Sequence, residues 1–313
     1  MGNDLKSALS IDLGGTSVKF AVVQGTTILE KGTPLITQTY ETPESLLEAI
    51  CDAARQLLSR HPEVCAVGMG LPGFVNHEEG TVDSLTNIAG WHDIPIRSLL
   101  EEALRLPASV DNDANCMAYA EWKMGAGRGY RDLVCLTLGT GVGSGVIVNN
   151  SMLRGHLGAA GELGQTCIDY KGRIGHYGNR GALEDYIGNR ELSADAQSAY
   201  AAGGIAKSLD ECSPMPLEID ARAGDPIAMK VWNDIARKLA SCLVNCCYIL
   251  NPQAFIIGGG IANARDLLFI PLRKYMKAQL YPKHYEAIHI LPAYFKGEAG
   301  LIGAARLALD TLH

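Results

Sequence analysis

Residues 138–145, LGTGVGSG, decide how we interpret the fold of this chain. They follow the apolar run 133–136 and lead into the apolar run 146–148, which predicts two strands joined by a glycine turn. Glycine lets the backbone reach positive φ and lets another group approach the main chain closely. Such a turn can present several N–H groups to an anion, although a simple β-hairpin turn explains the same residues.

A second copy of this pattern lies near the N-terminus. Residues 8–13 predict a strand, residues 12–16 read DLGGT, and residues 18–23 and 26–31 predict returning strands. The turn offers backbone N–H groups and a hydroxyl to an anion, while Asp12 can hold a Mg²⁺ ion or its waters. An Asp-Gly hairpin turn is the alternative. The repetition of strand, turn and strand favours phosphate binding.

The first half of the chain continues as a parallel α/β pattern. Thr42 and Pro43 predict the start of a helix, and residues 64–70 predict a strand that ends at the turn 71–73, LPG. Ligands of such sheets bind beyond the carboxyl ends of the strands, which places Gly73 near a site. Residues 76–95 are polar with little periodicity and are interpreted as a loop, and residues 96–106 predict a helix.

Two carboxylates and two amides lie within residues 111–115, DNDAN, at a strand-to-helix junction. Helix capping explains one of these side chains but not four. Asn and Asp side chains suit sugar hydroxyl groups, which both donate and accept hydrogen bonds. An Asp at this place could also accept the proton of a hydroxyl group that attacks a phosphate.

The second half repeats the layout of the first. Strands are predicted at 133–138, 145–149 and 151–153, a long helix runs from Pro226 to Pro252, and the strand 254–257 ends at GGG, residues 258–260. A last strand at 287–291 and a last helix at 297–312 follow. We interpret this as a weak internal repeat of architecture.

Composition excludes several classes of protein. The 313 residues are 47% hydrophobic and 19% charged with a formal net charge of −7, which argues against a broad nucleic-acid surface. No apolar stretch predicts a membrane span or a signal peptide. The nine cysteines form no CxxC pair and are interpreted as reduced, buried residues of a cytosolic protein.

In this order, the motifs DLGGT (12–16), DNDAN (111–115), LGTGVG (138–143) and GELG (161–164) resemble the ROK family of sugar kinases and sugar-responsive repressors. The resemblance covers nearly the whole chain. It implies the two-domain, ribonuclease-H-like α/β ATPase fold of the actin and hexokinase type, with the active site in the inter-domain cleft. It further implies an N-terminal domain over 1–112, a larger C-terminal domain over 113–299, and a final helix at about 300–313 that packs back on the first domain.

The same resemblance implies the transfer of the ATP γ-phosphoryl group, with Mg²⁺, to a hexose, by default to the 6-hydroxyl group of glucose. Asp113 would be the base that takes the hydroxyl proton. Sugar contacts are implied for Gly73, Asn87, Asn112, Asp113, Glu162, Gln165 and Glu184. Nucleotide contacts are implied for Asp12 (through Mg²⁺ or its waters), Gly14, Gly15, Thr16, Thr140, Gly141, Gly143, Gly259 and Gly260.

The chain departs from the family at one place. The family usually carries a zinc site made by one His and three Cys, and at those positions this chain has Gln165, Gly175, Tyr177 and Ala182. Cys167, His156 and His176 lie nearby but make a poor tetrahedral set. We therefore expect no structural zinc, with the loop held by packing and hydrogen bonds, to which Tyr177 could contribute. Gln165 makes the preference at the first two ring carbons of the sugar an open question.

Other readings remain open. Mannose, fructose, allose, N-acetylglucosamine and N-acetylmannosamine are alternative substrates. A sugar-sensing repressor would need a DNA-binding domain, and we expect none because this chain begins almost directly at its first strand. A chaperone or filament protein of the same fold would leave the residues 111–115 and the loop around Glu162 without a purpose.

Since members of the family are commonly dimers, we expect a homodimer in the cytoplasm, with sugar and ATP as its ligands.

Overall fold

The computed structural model describes residues 6–85, 91–175 and 177–312. The chain divides into two compact units, of which the first comprises Met1–Gly129, Met152–Gly161 and Tyr294–His313 and the second Tyr130–Ser151 and Glu162–Ala293. The first unit therefore includes residues 113–129, which the boundary predicted at 112 assigns to the other domain. The reason is that the helix starting at residue 113 packs against the last helix of the chain and against strands of the first sheet.

Fourteen strands lie in the described residues, and they are numbered in chain order. They are β1 (Ser7–Leu13), β2 (Ser17–Gln24), β3 (Thr27–Lys31), β4 (Leu35–Ile36), β5 (Val64–Leu71), β6 (Phe74–Asn76), β7 (Thr81–Ser84), β8 (His92–Ile94), β9 (Ala108–Asn112), β10 (Leu133–Leu138), β11 (Val142–Val148), β12 (Ser151–Met152), β13 (Ala254–Gly258) and β14 (His289–Pro292).

Ten α-helices lie in the same described part of the chain. They are α1 (Pro43–Arg60), α2 (Ile96–Leu104), α3 (Asp113–Met124), α4 (Glu184–Ile187), α5 (Asn189–Ala202), α6 (Pro214–Arg222), α7 (Pro226–Leu250), α8 (Asp266–Gln279), α9 (Pro282–Ala287) and α10 (Ala299–Asp310). Helix α1 begins as its sequence predicts, since the Thr42 hydroxyl accepts the Ser45 N–H group at 3.2 Å and Pro43 is the first helical residue.

The two large sheets share one topology. The first has the order β3-β2-β1-β5-β9, and the second has the order β12-β11-β10-β13-β14. In each sheet an antiparallel hairpin (β1 with β2, β10 with β11) is followed by two parallel strands. The internal repeat predicted from the sequence is thus confirmed, and each sheet has a hairpin turn at the edge where its parallel strands end.

Two details of the sequence-based prediction are wrong. Residues 76–95 are not only a loop, because β6, β7 and β8 form a small antiparallel sheet that buries Val75 and Val82. These strands have three or four residues, too few for an alternating pattern to stand out. The strand after the glycine turn begins at Val142 rather than at residue 145, and therefore Gly143 and Gly145 lie within β11.

Helix α10 lies unusually close to its neighbours in the first unit. A Cβ atom built on Gly303 of α10 would lie 1.7 Å from the Cys116 carbonyl oxygen of α3. A Cβ atom on Gly68 of β5 would lie 1.9 Å from the Ala304 carbonyl oxygen of α10. The two glycines allow backbone-to-backbone contact on both sides of α10, and this contact holds α3 against the sheet.

We expect Gly303→Ala to destabilise the protein, because the added methyl group overlaps backbone atoms that cannot rotate away. The loss in free energy of unfolding should be about 2 kcal/mol or more, at the upper end of overpacked cores. Chemical denaturation would measure it. Gly297→Ala is the matched control, since a Cβ atom there meets nothing within 4 Å and should leave stability nearly unchanged. Equal stability of the two variants would contradict this packing.

Most of the cysteines are buried, as the sequence predicts, and two are not. None of the nine forms a disulfide, and seven of them are buried, with Cys65 half-buried and Cys167 exposed. Burial raises the pKa of Cys246 and of Cys247 to about 12, so these thiols stay protonated at neutral pH. In the described residues no helix combines the length and the apolar character needed to cross a membrane.

Candidate functional site

Three strands of the first unit bring their ends to one edge of the sheet. In the parallel register, Asp12 of β1 is opposite Gly70 of β5, and Gly70 is opposite Asp111 of β9. Asn112 pairs with Leu71, and Gly73 follows at the turn. Since ligands bind beyond the carboxyl ends of parallel strands, this edge is the first candidate region.

Asn112 caps helix α3. Its side-chain oxygen accepts the N–H groups of Ala114 at 2.9 Å and Asn115 at 3.3 Å, and its amide nitrogen donates to the Gly73 carbonyl at 3.0 Å. The cap predicted somewhere within residues 111–115 is thus Asn112. Asp113 is the first helical residue, and its Oδ1 accepts the Ala114 N–H at 2.8 Å.

Asp111 is a buried carboxylate that Arg154 neutralises. Asp111 is 1% exposed, and its Oδ2 accepts hydrogen bonds from Arg154 Nε at 3.0 Å and from Arg154 Nη2 at 2.6 Å. Oδ1 accepts from the Asn112 N–H at 2.8 Å and from the Asn115 amide at 2.9 Å. Four hydrogen bonds therefore fix the residue that immediately precedes Asn112 and Asp113, and Asp111 and Asn115 serve to shape the turn.

His77 lies beside this ion pair. Its Nδ1 is 2.8 Å from the Val110 carbonyl oxygen, for which it is the donor, and 3.8 Å from Asp111 Oδ2. Burial, and secondly the positive charge of Arg154, lower the pKa of His77. The imidazole is therefore neutral at pH 7, and Arg154 is the cation that balances Asp111.

Asp12 is the second carboxylate at this edge. Lys19 on β2 is 3.7 Å from its Oδ2, and the side chain of Asp12 is 22% exposed. Burial raises the pKa of Asp12, while Lys19 acts in the opposite direction. Burial also raises the pKa of Cys116 on α3, helped by the charges of Asp111, Asp113 and Asp12. The three acidic residues thus lie close enough to act on one thiol, and two donors of Arg154 reach Oδ2 of Asp111.

The first glycine turn is closed by its own backbone. The Gly14 N–H donates to the Ser17 carbonyl at 2.9 Å, and the Gly15 carbonyl accepts from the Thr37 hydroxyl at 2.9 Å. The Thr16 carbonyl accepts the Thr37 N–H at 3.1 Å. Thr37 therefore holds the turn from behind through its carbonyl groups, and the Thr16 residue itself is exposed.

The second unit builds a comparable edge from β10 and β13. Residues 139–141 connect Leu138 to Val142, and the Gly139 N–H donates to the Gly141 carbonyl at 2.9 Å. Gly259 follows β13 with φ of 86°, and a Cβ atom there would lie 2.2 Å from the Leu138 carbonyl oxygen. Only glycine fits this contact, which brings residues 258–260 against the glycine hairpin.

Glu184 is joined to that hairpin. Its Oε2 accepts the Val142 N–H at 2.8 Å, which is possible because Gly141 has no side chain: a Cβ atom there would lie 2.4 Å from Oε2. Its Oε1 accepts the Gln165 amide at 3.1 Å. Desolvation, and secondly the Glu184 charge, raise the pKa of Glu162. Glu162, Gln165 and Glu184 thus form one polar cluster in the second unit.

The four positions that would hold zinc do not fit that ion. The Gln165 amide is bonded to Glu184, Ala182 is a buried methyl group, and Tyr177 is exposed. A Cβ atom at Gly175 would lie 1.9 Å from Asp185 Oδ2, so the space for a ligand there is filled. In the described residues the one group of three or more metal-binding side chains is the exposed set Asp83, His92 and Asp93, outside this loop.

The structure thus groups most of the predicted site residues into two sets, each within one unit. In the first unit these are Asp12, Gly14, Gly15, Thr16, Gly73, Asn112 and Asp113; in the second they are Thr140, Gly141, Gly143, Glu162, Gln165, Glu184, Gly259 and Gly260. Asn87 lies outside the described residues. The sequence analysis did not identify Arg154 or Asn179, whose contacts with Asp111 and Gln165 join residues far apart in the chain.

Known proteins of one family match this chain along nearly its whole length. The sequence model of the ROK family matches residues 8–311. The glucokinase of Streptomyces coelicolor is 34% identical over 315 residues, covering 96% of this chain and 97% of that protein. A ROK family glucokinase from Streptomyces griseus, crystallised with glucose and AMPPNP, is 33% identical with a TM-score of 0.83, covering 97% of this chain and 99% of that one. The xylose repressor of Caldicellulosiruptor bescii is 26% identical, covering 100% of this chain and 80% of the repressor.

Proposed function

The chain belongs to the ROK family and is an ATP-dependent sugar kinase with the actin and hexokinase type of fold, and from this premise we propose that it phosphorylates glucose at the 6-hydroxyl group. The observation that carries the proposal is the position of Asp113. It begins α3 directly beyond the parallel strands of the first sheet, next to Asn112, which caps the helix and anchors the turn to the Gly73 carbonyl.

In the proposed reaction the Asp113 carboxylate accepts the proton of the sugar hydroxyl group. The hydroxyl oxygen then forms a bond to the γ-phosphorus of ATP, the bond between that phosphorus and the bridging oxygen of ADP breaks, and ADP leaves. Phosphoryl transfer needs positioning and charge stabilisation more than covalent chemistry from the protein. Asn112 supports Asp113 by capping α3 and by anchoring the turn to the Gly73 carbonyl.

We assign phosphate binding to the two glycine turns. In the first turn the Gly14 N–H already donates to Ser17, which leaves the N–H groups of Gly15 and Thr16 and the Thr16 hydroxyl as donors toward an anion. In the second, Thr140 and Gly141 have this role, and Gly143 supports them from β11. Gly259 and Gly260 would lie near the adenosine. Mg²⁺ fits beside Asp12, whose partly buried carboxylate is the type of oxygen ligand that this ion prefers; it would neutralise phosphate charge.

We assign the sugar hydroxyl groups to Asn112 and Gly73 in the first unit and to Glu162, Gln165 and Glu184 in the second. Asn87 keeps the role implied by the family resemblance. Carboxylates accept hydrogen bonds from hydroxyl groups, and the Gln165 amide can both donate and accept. Since Gln165 stands where the family has histidine, mannose, fructose, allose and the N-acetylhexosamines remain alternative substrates.

A panel of sugars tests the proposal. ADP release would be measured with ATP, Mg²⁺ and each of glucose, mannose, fructose, allose, N-acetylglucosamine and N-acetylmannosamine. We expect the highest kcat/KM for glucose and a product that carries phosphate on oxygen 6. A higher kcat/KM for another sugar would replace glucose, and the absence of turnover with every sugar would overturn the kinase proposal.

The similarity to a xylose repressor favours one further candidate, a sugar-sensing regulator. Such a protein would bind a sugar without turning it over, and the same panel separates the two, since binding by calorimetry without ADP release would favour the regulator.

We also propose a homodimer located in the cytoplasm. Both proposals rest on the family resemblance, and sedimentation would test the oligomeric state.

A further inference from the structure

We propose that Asn179 is a positioning residue of the sugar site, which acts through Gln165 on Glu184, and that this chain of hydrogen bonds organises the described residues of the segment 165–184 without a metal ion. The proposal rests on the proposed function in one respect, the assignment of Glu184 to the sugar. The hydrogen bonds themselves lie within the second unit.

The chain of contacts starts at the Asn179 amide nitrogen. It donates to the Gln165 backbone carbonyl at 3.1 Å and to the Gln165 side-chain oxygen at 3.3 Å. Because the oxygen end of the Gln165 amide is held in this way, its nitrogen end points to Glu184 Oε1 at 3.1 Å. Asn179 therefore determines which end of the Gln165 amide, the nitrogen or the oxygen, meets the carboxylate.

Glu184 is fixed from both of its oxygens. Gln165 donates to Oε1, and the Val142 N–H of the glycine hairpin donates to Oε2 at 2.8 Å. A carboxylate oxygen accepts more than one hydrogen bond, so both oxygens can still accept from sugar hydroxyl groups. Loss of the Gln165 contact would free the carboxylate to rotate about its last side-chain bond. Asn179 thus affects the sugar through orientation, without a contact of its own.

The backbone of the loop is closed by a second set of contacts. The Ile168 N–H donates to the Gly181 carbonyl, and the Gly181 N–H donates to the Arg173 carbonyl, both at 2.8 Å. The Gly175 N–H donates to the Asn179 carbonyl at 2.9 Å, which places Asn179 at the turn of this small ladder. Isolated bridges pair Cys167 with Ala182 and Ile174 with Arg180. These contacts join the segments that carry Gln165 and Glu184.

Arg173 attaches the same loop to the helices of the second unit. Its guanidinium group lies 4.3 Å from the centre of the Tyr186 ring and bonds to Asp195 at 2.8 Å. Lys238 of α7 is 3.6 Å from Asp195 and 5.2 Å from the Tyr186 ring. The Tyr186 hydroxyl accepts the Arg173 N–H at 3.1 Å. Hydrogen bonds and cation–π contacts thus hold the described residues of this loop.

The test combines three variants of the full chain: Asn179→Ala, Gln165→Met and the double variant. We expect Asn179→Ala to raise the KM for the sugar roughly tenfold, which corresponds to about 1.4 kcal/mol, with a much smaller change in kcat. In the Gln165→Met background the same substitution should have little further effect, because its influence passes through the Gln165 amide. An equal effect of Asn179→Ala in both backgrounds would overturn the relay.

Arg180→Ala is the matched control for general loosening of the loop. Arg180 is exposed and donates to the Gly172 carbonyl at 2.8 Å, in the same loop but outside the relay. It should leave the KM for the sugar unchanged. If Arg180→Ala raised that KM as much as Asn179→Ala does, Asn179 would have only a structural role.

Two readouts do not depend on the proposed function. The free energy of unfolding of the three variants should be non-additive, since Asn179 and Gln165 share a hydrogen bond. Protein purified without chelator should contain no stoichiometric zinc, and EDTA should not shift its unfolding midpoint. Additive stability effects, or an equivalent of zinc that EDTA removes with loss of stability, would overturn the proposal. A wild-type protein without sugar turnover, or an unchanged sugar KM in Glu184→Gln, would instead count against the proposed function.

Discussion

Asp113→Asn is expected to reduce kcat by roughly 10²–10⁴-fold, the usual contribution of general base catalysis. The asparagine amide has the size of the carboxylate but cannot take the proton from the sugar hydroxyl group. The sugar should still bind, because Asn112, Glu162 and Glu184 are intact. Steady-state rates by ADP release and sugar affinity by calorimetry would separate these two effects.

The control for this substitution is Asp52→Asn. Asp52 is an exposed residue of α1 that pairs with Arg55 in the next turn of the helix, and we expect no effect on turnover. Circular dichroism should show that the Asp113→Asn variant is folded. The substitution removes one negative charge from the first turn of α3, and such a charge contributes about 1 kcal/mol or less to stability. A kcat close to that of the wild-type protein would remove Asp113 as the base.

The parts of the fold that the sequence predicted are those set by local chemistry. The hairpin after β1 and the hairpin after β10 are marked by glycines between apolar strands, and Thr42 with Pro43 marks the start of α1. These signals act over a few residues and need no partner far along the chain. Because the same local signals occur in both halves of the chain, the two sheets have the same order of strands.

The prediction failed where the deciding contact lies elsewhere. The end of the glycine turn at Val142 is fixed by pairing with Leu138 and by the bond from its N–H to Glu184, neither of which the glycine pattern reveals. The small sheet of β6, β7 and β8 depends on burying Val75 and Val82. Helix α3 belongs to the first unit because Gly303 allows α10 to touch it.

The polar cluster at residues 111–115 shows the same limit for the site. Its composition predicted a helix cap, and the structure confirms one, but the composition did not predict which residue has which task. Asn112 is the cap, and Asp111 with Asn115 forms a buried pair. That division depends on Arg154, 43 residues further along the chain than Asp111, and no local pattern marks Arg154 as the partner.

Arg154→Met is expected to cost about 3–5 kcal/mol of the free energy of unfolding, because it leaves the Asp111 carboxylate buried without a cation. Asp111 is 1% exposed, so the carboxylate cannot reach water to recover its solvation. The turnover should fall as well, since Asp111 sets the backbone of Asn112 through the hydrogen bond to its N–H. Denaturant unfolding and steady-state kinetics on the same preparation would measure both effects.

The double variant Asp111→Asn with Arg154→Met distinguishes charge from packing. If the cost of Arg154→Met comes from the uncompensated charge, removing the charge of Asp111 should restore most of the lost stability, since a neutral amide can still accept from Asn115 and the Asn112 N–H. Arg154→Lys should be intermediate, because an ammonium group supplies the charge but not the two donors that both reach Oδ2. A double variant less stable than Arg154→Met would show instead that the guanidinium group acts through packing. In that case the pair could not be what holds the turn before Asp113.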